Sequence, residues 1–212
     1  MRLSNKFEEG ALDNQAIGNG ETTAEGFISV DVETSGPIPG AFSLLSIGAC
    51  MIRSGEVLTA DDFSRTFYCT LRPLDGAGSD PAALAVVGFS LEDLAQTGSE
   101  PERAMISFEQ WVLAACGSAK PVFVGLNAAF DWSFINYYFH RFLGRNPFGF
   151  SALDIKSLYM GLTGSSWADT RSSRMAATLG IPQGKITHHA LDDAKAQAEL
   201  FVAIRERSNR QR

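Results

Sequence analysis

Two carboxylates, Asp31 and Glu33, stand two residues apart in the apolar run Phe27-Ile-Ser-Val-Asp-Val-Glu-Thr-Ser-Gly36. A run of this composition predicts a strand, and alternate residues of a strand share a face, so both acids point one way and Val32 the other. Two acids side by side among valines repel each other and resist burial unless a cation or a proton lies between them. An Asp-X-Glu triplet alone is commonly an exposed face, so the reading depends on what else the chain supplies. It supplies two further acids and a histidine in similar settings. Asp131 ends the run Asn127-Ala-Ala-Phe-Asp131, and Asp193 lies in Thr187-His-His-Ala-Leu-Asp-Asp-Ala194. His188 precedes Asp193 by five residues, ahead of a helix start, and can swing over a site that Asp193 helps to form. Asp31, Glu33, Asp131 and Asp193 are hard oxygen ligands of the kind that suits magnesium or manganese. No cysteine and no His-X3-His pair is placed for a zinc site. Four carboxylates can hold two ions about 3.5 to 4 Å apart, the arrangement that clamps the attacking and leaving oxygens of a phosphodiester.

The elements around these residues must bring them together. Residues 1–25 mix Gly, Asn and Glu without hydrophobic period and predict a flexible acidic leader. A strand over 27–32, a turn-rich piece over 35–40, and strands over 42–52 and 63–71 predict an antiparallel meander. After Pro73 the apolar period changes from two to about 3.6. Asp80 before Pro81 and Ser90 before Leu91 read as helix caps, and Ser99 with Glu102 predicts the start of a helix that runs to about Cys116. The apolar run 121–126 fits a strand buried on both faces, and Asn127 reads as the cap of the next helix. That junction puts Asp131 just past the carboxyl end of an inner strand, where open α/β sheets place ligands. A short strand over 150–154, helices over 155–162 and 171–179, and a closing helix over 190–207 complete the domain. The expected organisation is therefore a leader (1–25), one domain (26–207) and a basic tail (208–212).

At 212 residues and 45% hydrophobic, the chain is long enough to bury one substantial core without disulfides. The three cysteines, Cys50, Cys69 and Cys116, lie in apolar segments and suggest reduced core thiols and a cytoplasmic protein. No run predicts a membrane span or a secretory signal. The net charge of -6 gives no bulk attraction for nucleic acid, so a polyanion would have to be captured locally. Arg171, Arg174 and Lys185 are candidates for that capture.

The runs Asp31-Val-Glu33-Thr-Ser-Gly, Asn127-Ala-Ala-Phe-Asp131 and His188-His-Ala-Leu-Asp-Asp193 resemble, in order and context, the three motifs of the DEDD-type 3′-to-5′ exonucleases. A histidine five residues before the last Asp makes the resemblance one to the His-bearing branch, which includes oligoribonuclease, ribonuclease T and the proofreading subunit of bacterial replicative polymerase. It spans residues 27–207. The resemblance implies an α/β, ribonuclease H-like fold: a mixed five-stranded sheet, first three strands antiparallel, with helices on both faces. It also implies that Asp31, Glu33, Asp131 and Asp193 hold two Mg²⁺ or Mn²⁺ ions and that His188 is the general base. Imidazole suits that role because it titrates near neutral pH. The expected reaction releases nucleoside 5′-monophosphates from single-stranded DNA or RNA. His189 and Asp192 are the neighbours that compete for the roles of His188 and Asp193. Thr34, Asn127, Phe42 and Trp132 are candidate substrate contacts, the two aromatics as stacking platforms.

The chain departs from the family pattern twice. Many relatives carry a bulky apolar residue directly after the glycine of the first motif, whereas here Pro37 follows Gly36, which moves a base wedge to Ile38 or Phe42 or removes it. Relatives also often have His before the Asn of the second motif, where this chain has Leu126. Expected partners are single-stranded 3′ ends or short oligonucleotides, no membrane, and a homodimer or a polymerase-type protein. The alternatives are a non-catalytic nucleic-acid-binding module on the same fold, or a phosphodiesterase of very short oligonucleotides.

Overall fold

The computed structural model describes residues 24–52, 65–182 and 187–210. The leader up to residue 23, the start of the third predicted strand at Phe63, and Lys185 lie outside the described residues.

Strand β1 (Glu25–Thr34) is the spine of the sheet. Antiparallel to it runs β2 (Leu44–Ile52), and β3 (Thr66–Thr70) pairs antiparallel with β2 on the outside. On the other side β4 (Lys120–Gly125) and β5 (Ala152–Asp154) add parallel to β1 and to one another, so the order is β3-β2-β1-β4-β5. This is the mixed five-stranded sheet that the family resemblance implies, and its first three strands form the antiparallel meander that the strand pattern predicts. The period of two in β1 divides its residues between two cores. Ile28, Val30 and Val32 pack with Phe108, Phe134 and Tyr138, under α3 (Pro101–Cys116) and α4 (Ala129–Leu143). The opposite face carries Cys50, Val124, Ile155, Met175 and Phe201, under α5 (Ile155–Thr163), α6 (Ser172–Leu179) and α7 (Ala190–Arg210). Two short helices, α1 (Pro81–Val87) and α2 (Leu91–Thr97), join β3 to α3, with Asp80 and Ser90 capping them as expected.

Most strand ends shift by a residue or two from the sequence reading, and four differences have a physical cause. Helix α3 begins at Pro101 behind Glu100, which makes no side-chain cap bond; Ser99 is drawn to the sheet edge instead. There its N–H donates to the Thr70 carbonyl, and its own carbonyl accepts from Arg72 N–H. Asn127 does not cap α4: it adopts a left-handed backbone, with φ of 64°, and Ala128 takes the cap position. The Ala128 N–H is satisfied by the carboxylate of Asp154, 2.8 Å away at the end of β5. The last strand starts at Ala152 rather than Phe150, whose ring is 92% exposed. Helix α7 continues to Arg210, so residues 208–210 extend the closing helix rather than forming a separate tail.

One close approach fixes where α7 sits. Gly48 of β2 lies opposite Asp31, and a Cβ built on it would stand 2.1 Å from backbone atoms of Ala190 and Leu191. Only a residue without a side chain lets the start of α7 rest on the sheet here. The Ser29 hydroxyl donates to the Ala194 carbonyl at 2.7 Å and pins the same turn to β1.

Candidate active site

The face of β1 that carries Ser29 turns towards α7, and Asp31 and Glu33 share it. Asp131 arrives in the first turn of α4, and one of its oxygens accepts the Val32 N–H at 3.0 Å, tying that helix start to β1. Asp193 stands in the first turn of α7. Its two carboxylate oxygens accept the backbone N–H groups of Thr187 and His188, each at 3.1 Å. These bonds fold the segment before α7 back over the helix start, and His188 is held there with φ of 54°. Ligand atoms of Glu33, His188 and Asp193 lie within 4.8 Å of one another.

All four acids and His188 line one cleft of about 290 Å³, whose wall also includes Leu126, Asn127, Phe130, Ile181 and Gln197. Among the described residues the two non-glycine positions with positive φ are Asn127 and His188, and both lie on this wall. Such backbone is uncommon outside glycine and concentrates at functional sites.

The electrostatics are those of crowded, buried acids. Asp31 is pushed well above the usual carboxylate range, by burial first and then by Asp131, Glu33 and Asp193, while a hydrogen bond from Gln197 opposes the rise. Burial raises Asp131 to about 8, against the bond from Val32, and Glu33 adds to the rise. Burial and Asp193 raise Glu33 to about 7. A divalent cation would relieve this repulsion, and a donor set of carboxylate oxygens fits magnesium or manganese rather than a thiolate-seeking metal.

His189 and Asp192 are placed elsewhere. The His189 ring stacks on Tyr68 with centroids 4.4 Å apart, and its Nδ1 lies 3.5 Å from Asp192 Oδ2. Neither is among the described lining residues of the cleft. Of the candidate substrate contacts, Asn127 lines the cleft and the other three do not. Thr34 is buried, with its hydroxyl donating to the Gly36 carbonyl at 2.9 Å. Trp132, half-buried, packs edge-on against Phe123 at the margin of the core. Phe42 covers Gly36, where an added Cβ would meet the ring at 2.2 Å. With Phe42 used in packing, Ile38, at 59% exposed, is the large hydrophobic residue this loop presents to solvent.

The sequence reading missed two residues. Asp154 reaches back from β5 to hold the α4 start, and also accepts the Ser157 N–H at 2.7 Å. Gln197, one turn after Asp193, is buried between Asp31 and the end of β4. A polar residue beside the apolar stripe Leu191, Ala194, Ala198, Phe201 was the available signal for Gln197. For Asp154 there was none beyond its position at a strand end.

The RNase_T family model, an exonuclease family, matches residues 28–201. Over 184 residues the chain is 50% identical to the 3′-5′ DNA exonuclease Cap18 of Escherichia coli, which covers 86% of this chain and 93% of that protein. Its fold is similar to the nuclease domain of 3′hExo, a DEDDh family member bound to rAMP, with a TM-score of 0.69, 17% identity, and 90% of this chain and 95% of that one covered. It is also similar to E. coli exonuclease I in complex with a dT13 oligonucleotide, at a TM-score of 0.68, 17% identity, and 88% of this chain against 42% of that one. The chain belongs to the RNase_T exonuclease family, on the ribonuclease H-like fold, and is a 3′-to-5′ exonuclease. Exonucleases of this family depend on a divalent metal. No helix among the described residues is long and apolar enough to cross a membrane.

Proposed function

We propose that the chain removes nucleotides one at a time from the 3′ end of single-stranded DNA, with Asp31, Glu33, Asp131 and Asp193 holding two Mg²⁺ or Mn²⁺ ions and His188 as general base. The observation that carries the site assignment is the convergence of Glu33, His188 and Asp193 within 4.8 Å, on the wall that Asp31 and Asp131 share. The relative named a DNA exonuclease, similar over nearly its whole length, favours DNA over RNA, a choice the motifs leave open. The chemistry that divalent ions supply when bound at such a site is Lewis-acid polarisation of the phosphate and stabilisation of the departing oxygen.

The chain's own groups do the rest. His188 accepts a proton from the attacking water. The water oxygen bonds to phosphorus as the bond from phosphorus to the 3′-oxygen of the penultimate nucleotide breaks. The terminal unit leaves as a nucleoside 5′-monophosphate, and the shortened strand ends in a 3′-hydroxyl. Asn127, with its backbone set by the β4–α4 junction, faces the terminal nucleotide. Ile38, exposed on the loop after β1, is the candidate for contact with the bases.

Digestion of 5′-labelled single-stranded DNA and RNA, from dinucleotide to about twenty residues, tests this with Mg²⁺, with Mn²⁺ and with EDTA, beside Asp31→Ala. A metal-dependent ladder that shortens DNA from the 3′ end, and is absent in the variant, is the expected result. Faster loss of RNA would overturn the substrate assignment, and cleavage confined to the shortest substrates would make the enzyme an oligonucleotide phosphodiesterase. Binding without cleavage would leave only the nucleic-acid-binding reading.

A further inference from the structure

Three of the four carboxylates have an oxygen held by an N–H donor. For Asp131 the donor is the Val32 backbone, and for Asp193 it is the backbone of Thr187 and His188. For Asp31 the donor is a side chain, the Nε2 amide of Gln197. The other end of that amide accepts the Leu126 N–H at 2.9 Å. A backbone N–H can only donate, so the oxygen of Gln197 must face Leu126 and its NH₂ must face Asp31. The orientation is thus fixed by the protein. Gln197 is itself 5% exposed, so both of its partners are met out of bulk water. One buried side chain of α7 therefore ties Asp31 on β1 to the end of β4, one residue before the Asn127 turn that launches Asp131.

We infer that Gln197 is a positioning residue for Asp31: it holds one carboxylate oxygen so that the other is presented to a divalent ion, and it sets the spacing between Asp31 and the β4–α4 junction. This rests on the reading of Asp31 as a metal ligand. Partners that orient a ligand from behind are typically worth 10- to 100-fold in metal affinity. Gln197 does not touch the reacting atoms, so its effect should fall on ion binding and on kcat rather than on KM.

The test is calorimetric titration of Mn²⁺ into the full chain, its Gln197→Met and Gln197→Ala variants, and Asp31→Asn, together with the melting temperature of each in EDTA. Gln197→Met keeps the length of the side chain and removes both hydrogen bonds. Gln197→Ala is the second variant, and because Gln197 lines the cleft, water can fill the space it leaves. The expected result is a Mn²⁺ Kd raised about tenfold or more in both, with kcat reduced at saturating Mn²⁺ and KM for a short single-stranded DNA changed less than about threefold. A Mn²⁺ Kd within twofold of the parent, with a lower melting temperature in EDTA, would show that Gln197 only docks α7 and would overturn the inference. Loss of Mn²⁺ binding in Asp31→Asn beside parental binding in both Gln197 variants would overturn this inference alone. Parental binding in Asp31→Asn as well would remove Asp31 from the ligand set and the inference with it.

Discussion

At the scale of single residues, two adjacent histidines have been sorted by their surroundings. His188 is exposed on the cleft, its backbone amide bonded to Asp193, while His189 stacks on Tyr68 and approaches Asp192. Proton transfer needs a base on the side from which water attacks, so the two should differ sharply when truncated. His188→Ala should lower kcat by at least ~10²-fold with little change in melting temperature or Mn²⁺ affinity. His189→Ala should keep kcat within a few-fold, since it removes a half-buried stack outside the cleft worth about 0.5–1.5 kcal/mol. Steady-state rates of both variants, beside Mn²⁺ titrations, decide the point. A His189→Ala defect as large as that of His188→Ala would exchange their roles.

At the scale of elements, the site depends on how closely α7 lies on β2. At Gly48 an added methyl would meet the backbone of Ala190 and Leu191 at 2.1 Å, and backbone cannot rotate away as a side-chain end can. Gly48→Ala should therefore displace the helix start that carries Asp193 and cost about 3 kcal/mol, the upper end of the overpacking range. The urea midpoint reads the stability, and Mn²⁺ affinity should fall with it; an unchanged midpoint would mean that α7 shifts freely. Neither this contact nor the Gln197 bridge was legible in the sequence, because both join residues 71 or more positions apart. What the sequence showed were local, periodic features: the alternation that puts Asp31 and Glu33 on one face, the caps at Asp80 and Ser90, and the strand-to-helix junction before Asp131. It misplaced features decided by competition. Asn127 is a good cap by type, but its backbone is turned left-handed while the more distant Asp154 satisfies the helix start. Ser99 is likewise a good cap by type, but the sheet edge takes its backbone. Phe42 and Trp132 illustrate a third limit, since an aromatic beside an apolar run packs inward when a glycine or a phenylalanine offers it a surface.

At the scale of the whole molecule, the crowded acids make stability, pH and metal one linked quantity. Glu33 is raised to about 7 and Asp131 to about 8, and Asp31 is raised as well. In the unfolded chain such groups lose their protons near pH 4. Between these limits these three groups hold more protons in the folded protein than in the unfolded chain, so without metal their contribution to stability falls as pH rises. The contribution of these carboxyls is fully present below about pH 4 and is lost as pH climbs through 7 to 8. A divalent ion reverses the trend, because it binds the deprotonated carboxylates and its stabilisation grows as protons leave. Melting temperatures in EDTA should therefore decline from pH 5 to pH 8, and millimolar Mg²⁺ or Mn²⁺ should raise them most at the alkaline end. Asp131→Asn keeps an oxygen for the Val32 N–H but cannot ionise, so its curve in EDTA should be flatter than the parent's and its response to metal smaller. A melting temperature that rose with pH in EDTA, or a metal response equal at pH 5 and pH 8, would mean that the carboxyls do not carry the strain their burial implies.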